Sequence, residues 1–262
     1  TEGHDMLPDR KFFETLAAVA AAETLPRFRS GLDVDNKLAG GFDPVTEGDR
    51  AAERAIRALI GEHYPDHGIL GEEHGAQGLE REHVWVIDPI DGTRAFISGV
   101  PVWGTLIGFY RNGRAAMGMM DQPFTGERYF ADGERSHYAG PGGPRVLKTR
   151  RCEALEEAVM FTTSPRIIAD HLQQGYDRLE ARVRLARYGT DCYAYCLLAA
   201  GFVDLVVESD LKPYDIGALI PIIEQAGGVV TTVEGGRAED GGDIVAAATP
   251  ELHQAALAVL NA

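Results

Sequence analysis

The stretch Val84-Trp85-Val86-Ile87-Asp88-Pro89-Ile90-Asp91-Gly92-Thr93 decides both the fold and the chemistry of this chain. Its first four residues are apolar, the composition of a buried strand. Asp88 stands where that strand stops. Pro89 has no backbone N–H and a fixed φ, so it forbids continuation as a helix. Gly92 permits close backbone approach. Two carboxylates so placed suit a hard cation such as Mg²⁺, which takes oxygen ligands, and the Ile90 carbonyl between them is a third oxygen. After Gly92, Thr93-Arg94-Ala95-Phe96 reads as a helix start whose free N–H groups suit a phosphate. Taken singly, Asp88 or Asp91 also fits a turn or helix-cap residue. The apolar strand running straight into both acids favours the metal reading.

Two further acidic clusters end apolar runs or open helices: Ile69-Leu70-Gly71-Glu72-Glu73 and Lys212-Pro213-Tyr214-Asp215. Upstream, helical periodicity predicts amphipathic helices over residues 9–29 and 47–63, the second closed by Pro65, with residues 40–44 as loop. Downstream, apolar runs over residues 104–110 and 115–120 flank Asn112-Gly113, a hairpin signal. A short strand follows at 127–131. The Gly-, Pro- and charge-rich stretch 132–151 marks a seam. Beyond it, strands at 158–162, 182–187, 203–208, 228–233 and 244–248 alternate with helices, the last three over 191–200, 214–226 and 250–260. The expectation is an α/β protein, with an α+β N-terminal half (residues 1–140) carrying most of the acids and a layered α/β C-terminal half (residues 141–262).

Composition narrows the function. With 45% hydrophobic residues in 262, the chain can bury a core and is not disordered. Its 25 Lys+Arg against 40 Asp+Glu give a net charge of −15. That argues against nucleic acid and anionic membrane as partners. It leaves room for an anionic substrate if a metal ion supplies local positive charge. No apolar run approaches the ~18–20 residues of a membrane helix, and the polar residues 1–10 carry no signal-peptide core. Cys152, Cys192 and Cys196 make no disulfide framework and read as small buried hydrophobes, so a reduced, cytoplasmic setting is expected. Pro65 between His63 and His67 argues against a zinc site there.

Gly71-Glu72-Glu73, residues 85–93, Tyr214-Asp215-Ile216-Gly217-Ala218 and Glu224-Gln225-Ala226-Gly227-Gly228 resemble, in order and spacing, the inositol monophosphatase family of Mg²⁺-dependent phosphatases. The resemblance covers essentially the whole chain and implies a five-layer αβαβα sandwich. It implies that Glu72, Asp88, the Ile90 carbonyl, Asp91 and Asp215 hold two or three Mg²⁺ ions. It further implies that Thr93 and Glu72 orient the attacking water, that Asp49 hydrogen-bonds Thr93, and that the protein is a homodimer acting on a small phosphomonoester. Thr46-x-x-Asp49 is also a helix capping box, which leaves Asp49 a second reading.

Departures from the inositol-type pattern are informative. Arg94-Ala95-Phe96 stands where Thr-Asn-Phe is common, and residues 187–195 and 210–215 resemble the histidinol-phosphate phosphatase branch, which serves histidine synthesis. The resemblance places Gly92, Thr93, Arg94, Gly189, Asp191, Glu208 and Asp215 on the substrate. An acid at Asp191 suits an amine or imidazolium better than a sugar hydroxyl. Asp191 also fits a helix N-cap, and Glu208 an ordinary strand-end charge. The competing readings are an inositol-1-phosphate or broad sugar and nucleotide phosphatase, and, from another class, a dimeric binding protein that keeps the fold.

Overall fold

The computed structural model describes residues 7–30, 35–36 and 44–262. Residues 1–6, and residues 40–43 of the expected loop, lie outside the described residues. Helix α1 (Arg10–Thr24) opens with the Asp9 carboxylate accepting the Phe12 N–H at 2.8 Å. It stops short of residue 29 because Pro26 has no N–H to continue it. Strands β1 (Asp35–Asn36) and β2 (Pro44–Val45) pair, and α2 (Glu47–His63) follows with the expected bounds. The expected capping box is present: Thr46 bonds into the first turn and Asp49 accepts the Thr46 N–H at 2.8 Å.

The first sheet is built from β3 (Gly68–Gly71), β4 (Gly75–Gln77), β5 (His83–Asp91), β6 (Gly104–Arg111), β7 (Arg114–Gln122), β8 (Glu127–Ala131), β9 (Ser136–Ala139) and β10 (Arg145–Val146). Their order is β10-β9-β8-β7-β6-β5-β3-β4, antiparallel throughout except for β3 beside β5. The β6–β7 hairpin turns at Asn112-Gly113, both with positive φ, as the sequence predicts. The stretch 132–151 carries two strands instead of a bare seam, so this sheet runs on to Val146. A short helix, α3 (Thr93–Ile97), leaves β5.

The second sheet has the order β12-β11-β13-β15-β14, from β11 (Val159–Thr162), β12 (Leu185–Tyr188), β13 (Leu205–Leu211), β14 (Val229–Thr232) and β15 (Gly242–Ala247). Helices α4 (Asp170–Glu180) and α8 (Pro250–Leu260) cover its outer face. Between the sheets lie α5 (Asp191–Ala199), α6 (Pro213–Ile216) and α7 (Leu219–Glu224).

Period-two alternation makes the layers. In β13, Leu205 and Val207 pack outward against α4 and α8, while Val206 points inward. In β6, Ile107 and Phe109 face Phe13, Leu16, Ile56 and Ile60 of α1 and α2, while Leu106 faces the middle helices. The stack is therefore α1/α2, sheet, α5–α7, sheet, α4/α8, the expected five-layer αβαβα sandwich. The middle cluster draws Leu106, Met120 and Tyr129 from the first sheet and Val206, Val230 and Ile244 from the second, so one apolar core joins both.

The helix expected over 214–226 is broken at Gly217-Ala218 into α6 and α7. Pro221 has no N–H for the Gly217 carbonyl, which interrupts the helix locally, and the seat of the junction lies far off in sequence. Gly108 and Gly118 face each other across β6 and β7. A Cβ on Gly118 would come 2.1 Å from the Ala218 carbonyl oxygen, and one on Gly108 3.0 Å from the Ala218 nitrogen. Two bare glycines thus form a groove that seats the α6–α7 junction, and with it Asp215, against the first sheet.

Candidate active site

The site begins where β5 departs from regular pairing. Asp88 faces Leu106 and Asp91 faces Gly104, so β5 holds one residue more than β6 between them, a β-bulge. Pro89 sits in the bulge, its carbonyl accepting from Thr105 Oγ1 at 2.9 Å. The Ile90 side chain is buried with Phe28, Phe96 and Trp103, which makes Phe96 and Trp103 core residues. With that anchor the bulge aims Asp88, the Ile90 carbonyl and Asp91 toward the space beside Asp215.

Each carboxylate is oriented by the backbone. Asp88 Oδ1 accepts the Ile90 N–H at 3.1 Å, Asp91 Oδ2 the Cys192 N–H at 2.8 Å, and Asp215 Oδ2 the Lys212 N–H at 2.6 Å. One oxygen from each of these three lies within 4.8 Å of the others. Glu72 follows β3, its N–H bonded to the Ile87 carbonyl at 3.2 Å. Burial, then the charges of Glu72, Asp91 and Asp215, pushes the Asp88 carboxyl well above the usual range. Burial, then Asp191 and Asp215, does the same to Asp91. Buried like charges at this spacing repel, and a bound cation relieves the repulsion. Three carboxylates and a carbonyl form a hard-oxygen donor set, which fits Mg²⁺ and not a soft metal.

Beside the cluster, Thr93 Oγ1 donates to the Ile90 carbonyl at 3.0 Å and stands 3.4 Å from Asp49 Oδ1. Asp49 is fully buried, and burial pushes its carboxyl up to about 6 against the pull of its Thr46 hydrogen bonds. Asp49 therefore caps α2 and also lies within hydrogen-bond reach of Thr93.

The facing wall comes from α5 and β13. Asp191 is the first residue of α5, with Thr190 at the N-cap position, and holds a left-handed φ of 44°. A Cβ on Gly92 would meet the Asp191 Cβ and Cγ at 3.2 Å, so glycine at 92, itself at φ 83°, lets the walls meet. Burial raises the Asp191 carboxyl to about 6, with Arg94 opposing. Glu208 is buried and accepts from the Thr163 N–H at 2.6 Å and Thr163 Oγ1 at 2.9 Å. Burial pushes its carboxyl up to about 8. Its enclosure separates it from an ordinary strand-end charge.

These walls enclose a cavity of about 210 Å³. Glu72, Asp88, Ile90, Asp91, Gly92, Thr93, Arg94, Asp191, Glu208 and Asp215 all line it. Asp49 stands behind Thr93. Gly189 is the exception: it is not among the lining residues, and its N–H turns back to the Thr162 and Thr163 carbonyls at 3.2 and 3.0 Å. Thr163, Ile167, Cys192, Tyr195, Ser209 and Leu211 line the cavity too and went unseen in the sequence. Tyr195 had a findable signal, one helical turn beyond Asp191. Cys152, Cys192 and Cys196 are free and buried, as expected.

A five-layer sandwich with carboxylates gathered at its strand ends belongs to a class of hydrolytic phosphatases. The chain is a member of the inositol monophosphatase family, whose sequence model matches residues 5–262. It is 41% identical over 257 residues to the chloroplastic bifunctional phosphatase IMPL2 of Arabidopsis thaliana, covering 93% of this chain and 72% of that one. It is 37% identical over 224 residues to a histidinol-phosphatase of Chlorobaculum parvum, covering 85% of each. Among solved structures, an inositol monophosphatase from Zymomonas mobilis superposes with a TM-score of 0.86 at 37% identity, over 96% of this chain and 97% of that one. Among the described residues no helix is long and apolar enough to cross a membrane.

Proposed function

We propose that the protein is a Mg²⁺-dependent histidinol-phosphate phosphatase, releasing phosphate and L-histidinol from L-histidinol phosphate. One observation carries the substrate: Asp191, partly buried, and Glu208, buried, line the cavity together with the acidic cluster. An acidic wall there suits a leaving group that carries an amine and an imidazole. Likeness to a named histidinol-phosphatase supports the reading.

Glu72, Asp88, the Ile90 carbonyl, Asp91 and Asp215 would hold the metal. Bound Mg²⁺ supplies charge neutralisation for the phosphate dianion and for the developing alkoxide. The protein's own groups do the positioning. Thr93 and Glu72 orient a water on the phosphorus. Asp49 fixes Thr93, and the Cys192 and Lys212 N–H groups hold Asp91 and Asp215 in place. Asp191 and Glu208 receive the cationic end of the alcohol. The protein is read as cytoplasmic, from its sparse cysteines, and, from the resemblance, as a homodimer, which light scattering tests as twice 28.4 kDa.

Phosphate release from L-histidinol phosphate and myo-inositol 1-phosphate, side by side with and without Mg²⁺, tests the proposal. A Mg²⁺-dependent preference for histidinol phosphate by kcat/KM supports it. A preference for the inositol ester supports the second reading, an inositol monophosphatase, which the likeness to the Zymomonas enzyme favours. No turnover of any phosphomonoester would favour a binding protein that keeps the fold.

A further inference from the structure

Five tyrosines are buried: Tyr110, Tyr129, Tyr138, Tyr176 and Tyr195. Four have hydroxyl partners. Tyr110 donates to the Glu239 carbonyl at 3.0 Å, Tyr138 to the Pro141 carbonyl at 3.1 Å, Tyr176 to Glu180 at 2.7 Å, and Tyr129 to Glu127 at 3.5 Å. Tyr195, only 3% exposed, has a hydroxyl with no partner. Buried phenols normally find one, because an unmet hydroxyl in a dry site costs free energy.

The orphan is also well placed. Tyr195 follows Asp191 by four residues on α5, so the two side chains share a helix face, and both line the cavity. The charges that act on its hydroxyl are Glu208 first, then Asp91 and Asp215. Tyr195 thus lines the same cavity as Glu208, Asp91 and Asp215. Those carboxylates, when ionised, only accept hydrogen bonds, whereas a phenol both donates and accepts. A heteroaromatic alcohol brings both kinds of group, and an ionised carboxylate serves only its donors.

We propose that Tyr195 is a specificity-determining residue whose hydroxyl hydrogen-bonds the polar leaving group of the substrate, the nitrogen-bearing alcohol. The nature of that alcohol rests on the function proposed above; the hydroxyl's role does not. Among the described residues no protein group meets the hydroxyl, which leaves it for the substrate. A site built around such a bond discriminates against esters that cannot complete it.

Tyr195→Phe removes only the hydroxyl. No protein hydrogen bond is lost, so the melting temperature of the free protein should hold or rise. The kcat/KM for L-histidinol phosphate should fall about 10- to 100-fold, the range of a hydrogen bond to a charged or buried partner. The fall for p-nitrophenyl phosphate, whose leaving group has no imidazole nitrogen, should be smaller, so the preference narrows. Binding of L-histidinol, followed by calorimetry, should weaken in parallel. Equal falls for both esters, or an unchanged preference, would overturn the proposal. So would a clear loss of melting temperature with binding intact, since that is the mark of a structural hydroxyl. If the wild type prefers another ester, the histidinol reading fails on the wild type alone. The Tyr195 proposal is then judged by whether the Phe variant keeps the wild-type preference for that ester against p-nitrophenyl phosphate.

Discussion

The cavity has two walls made in different ways. Glu72, Asp88, Asp91 and Thr93 come from the ends of two adjacent parallel strands, β3 and β5, in one short run of chain. Asp191, Tyr195, Glu208 and Thr163 come from three elements, and Thr163 meets Glu208 across 45 residues. The first wall is a set of like charges held by backbone bonds and suited to a cation. The second is a set of enclosed polar groups, one of them without a partner. A metal is the same for every ester the family handles, so the first wall can be a fixed motif. The leaving group differs, so the second wall is where enzymes on this frame can diverge.

The largest expected effect breaks the first wall. Asp88→Asn should cost about 10³-fold or more in Mg²⁺-supported kcat, since the charge stabilisation asked of the metal is several kcal/mol. Calorimetry should show weakened Mg²⁺ binding, and circular dichroism an intact fold. Removing one of the crowded charges should also raise the melting temperature in chelator. Wild-type activity would sink the site assignment.

Next comes the seating of Asp215. Gly118→Ala places a methyl against the Ala218 carbonyl, which must move. Denaturant titration should show a loss of about 1–3 kcal/mol. Because Asp215 shifts with the junction, kcat should drop by about 10²-fold. Stability lost with kcat retained would separate the groove from the site.

A third substitution sharpens the contrast from the other wall. Asp191→Asn removes the charge and tolerates the left-handed φ of 44° better than alanine does. KM for histidinol phosphate should rise about 10-fold, and more than KM for a neutral-alcohol phosphate. Equal rises would remove amine recognition from Asp191.

The last effect is read on stability in the absence of metal and substrate. The Glu208 carboxyl, pushed up to about 8 in the folded protein from a usual 4.5, keeps a proton that the unfolded chain releases. Below pH 4.5 both states are protonated and there is no cost. The stability is lost as pH rises toward about 8. In chelator, Glu208→Gln should therefore raise the melting temperature at pH 8 and leave it nearly unchanged at pH 4.5. Equal gains at both values would refute the burial account.

The first wall was legible because its information is local. An apolar strand, a proline, two acids and a glycine in ten residues fix a bulge and a ligand set. Helices α2 and α8 were legible for the same reason, one opened by Thr46 and Asp49 and the other by Thr249 and Pro250. What failed was non-local. The seating of the Gly217-Ala218 junction answers to glycines about a hundred residues earlier, although the break itself was readable at Pro221. Gly189 was placed on the substrate by analogy, yet its N–H serves the end of β11. Tyr195 was passed over because a tyrosine on an apolar helix reads as core; its place one turn beyond Asp191 was the signal, and the missing partner of its hydroxyl now sets it apart.

The middle layer has a bearing on how the chain reaches this state. Leu106, Met120, Tyr129 and Tyr138 of the first sheet are covered by α5 and α7, which are themselves covered by Val206, Val230 and Ile244. During synthesis at about 5–20 residues per second, the first sheet's inner face is complete many seconds before its cover emerges. Until then it is an exposed apolar surface, open to aggregation or to a chaperone. Folding of the first sheet is thus governed by the arrival of the last third of the chain, and denaturant unfolding should pass through one cooperative step in which both sheets are lost together.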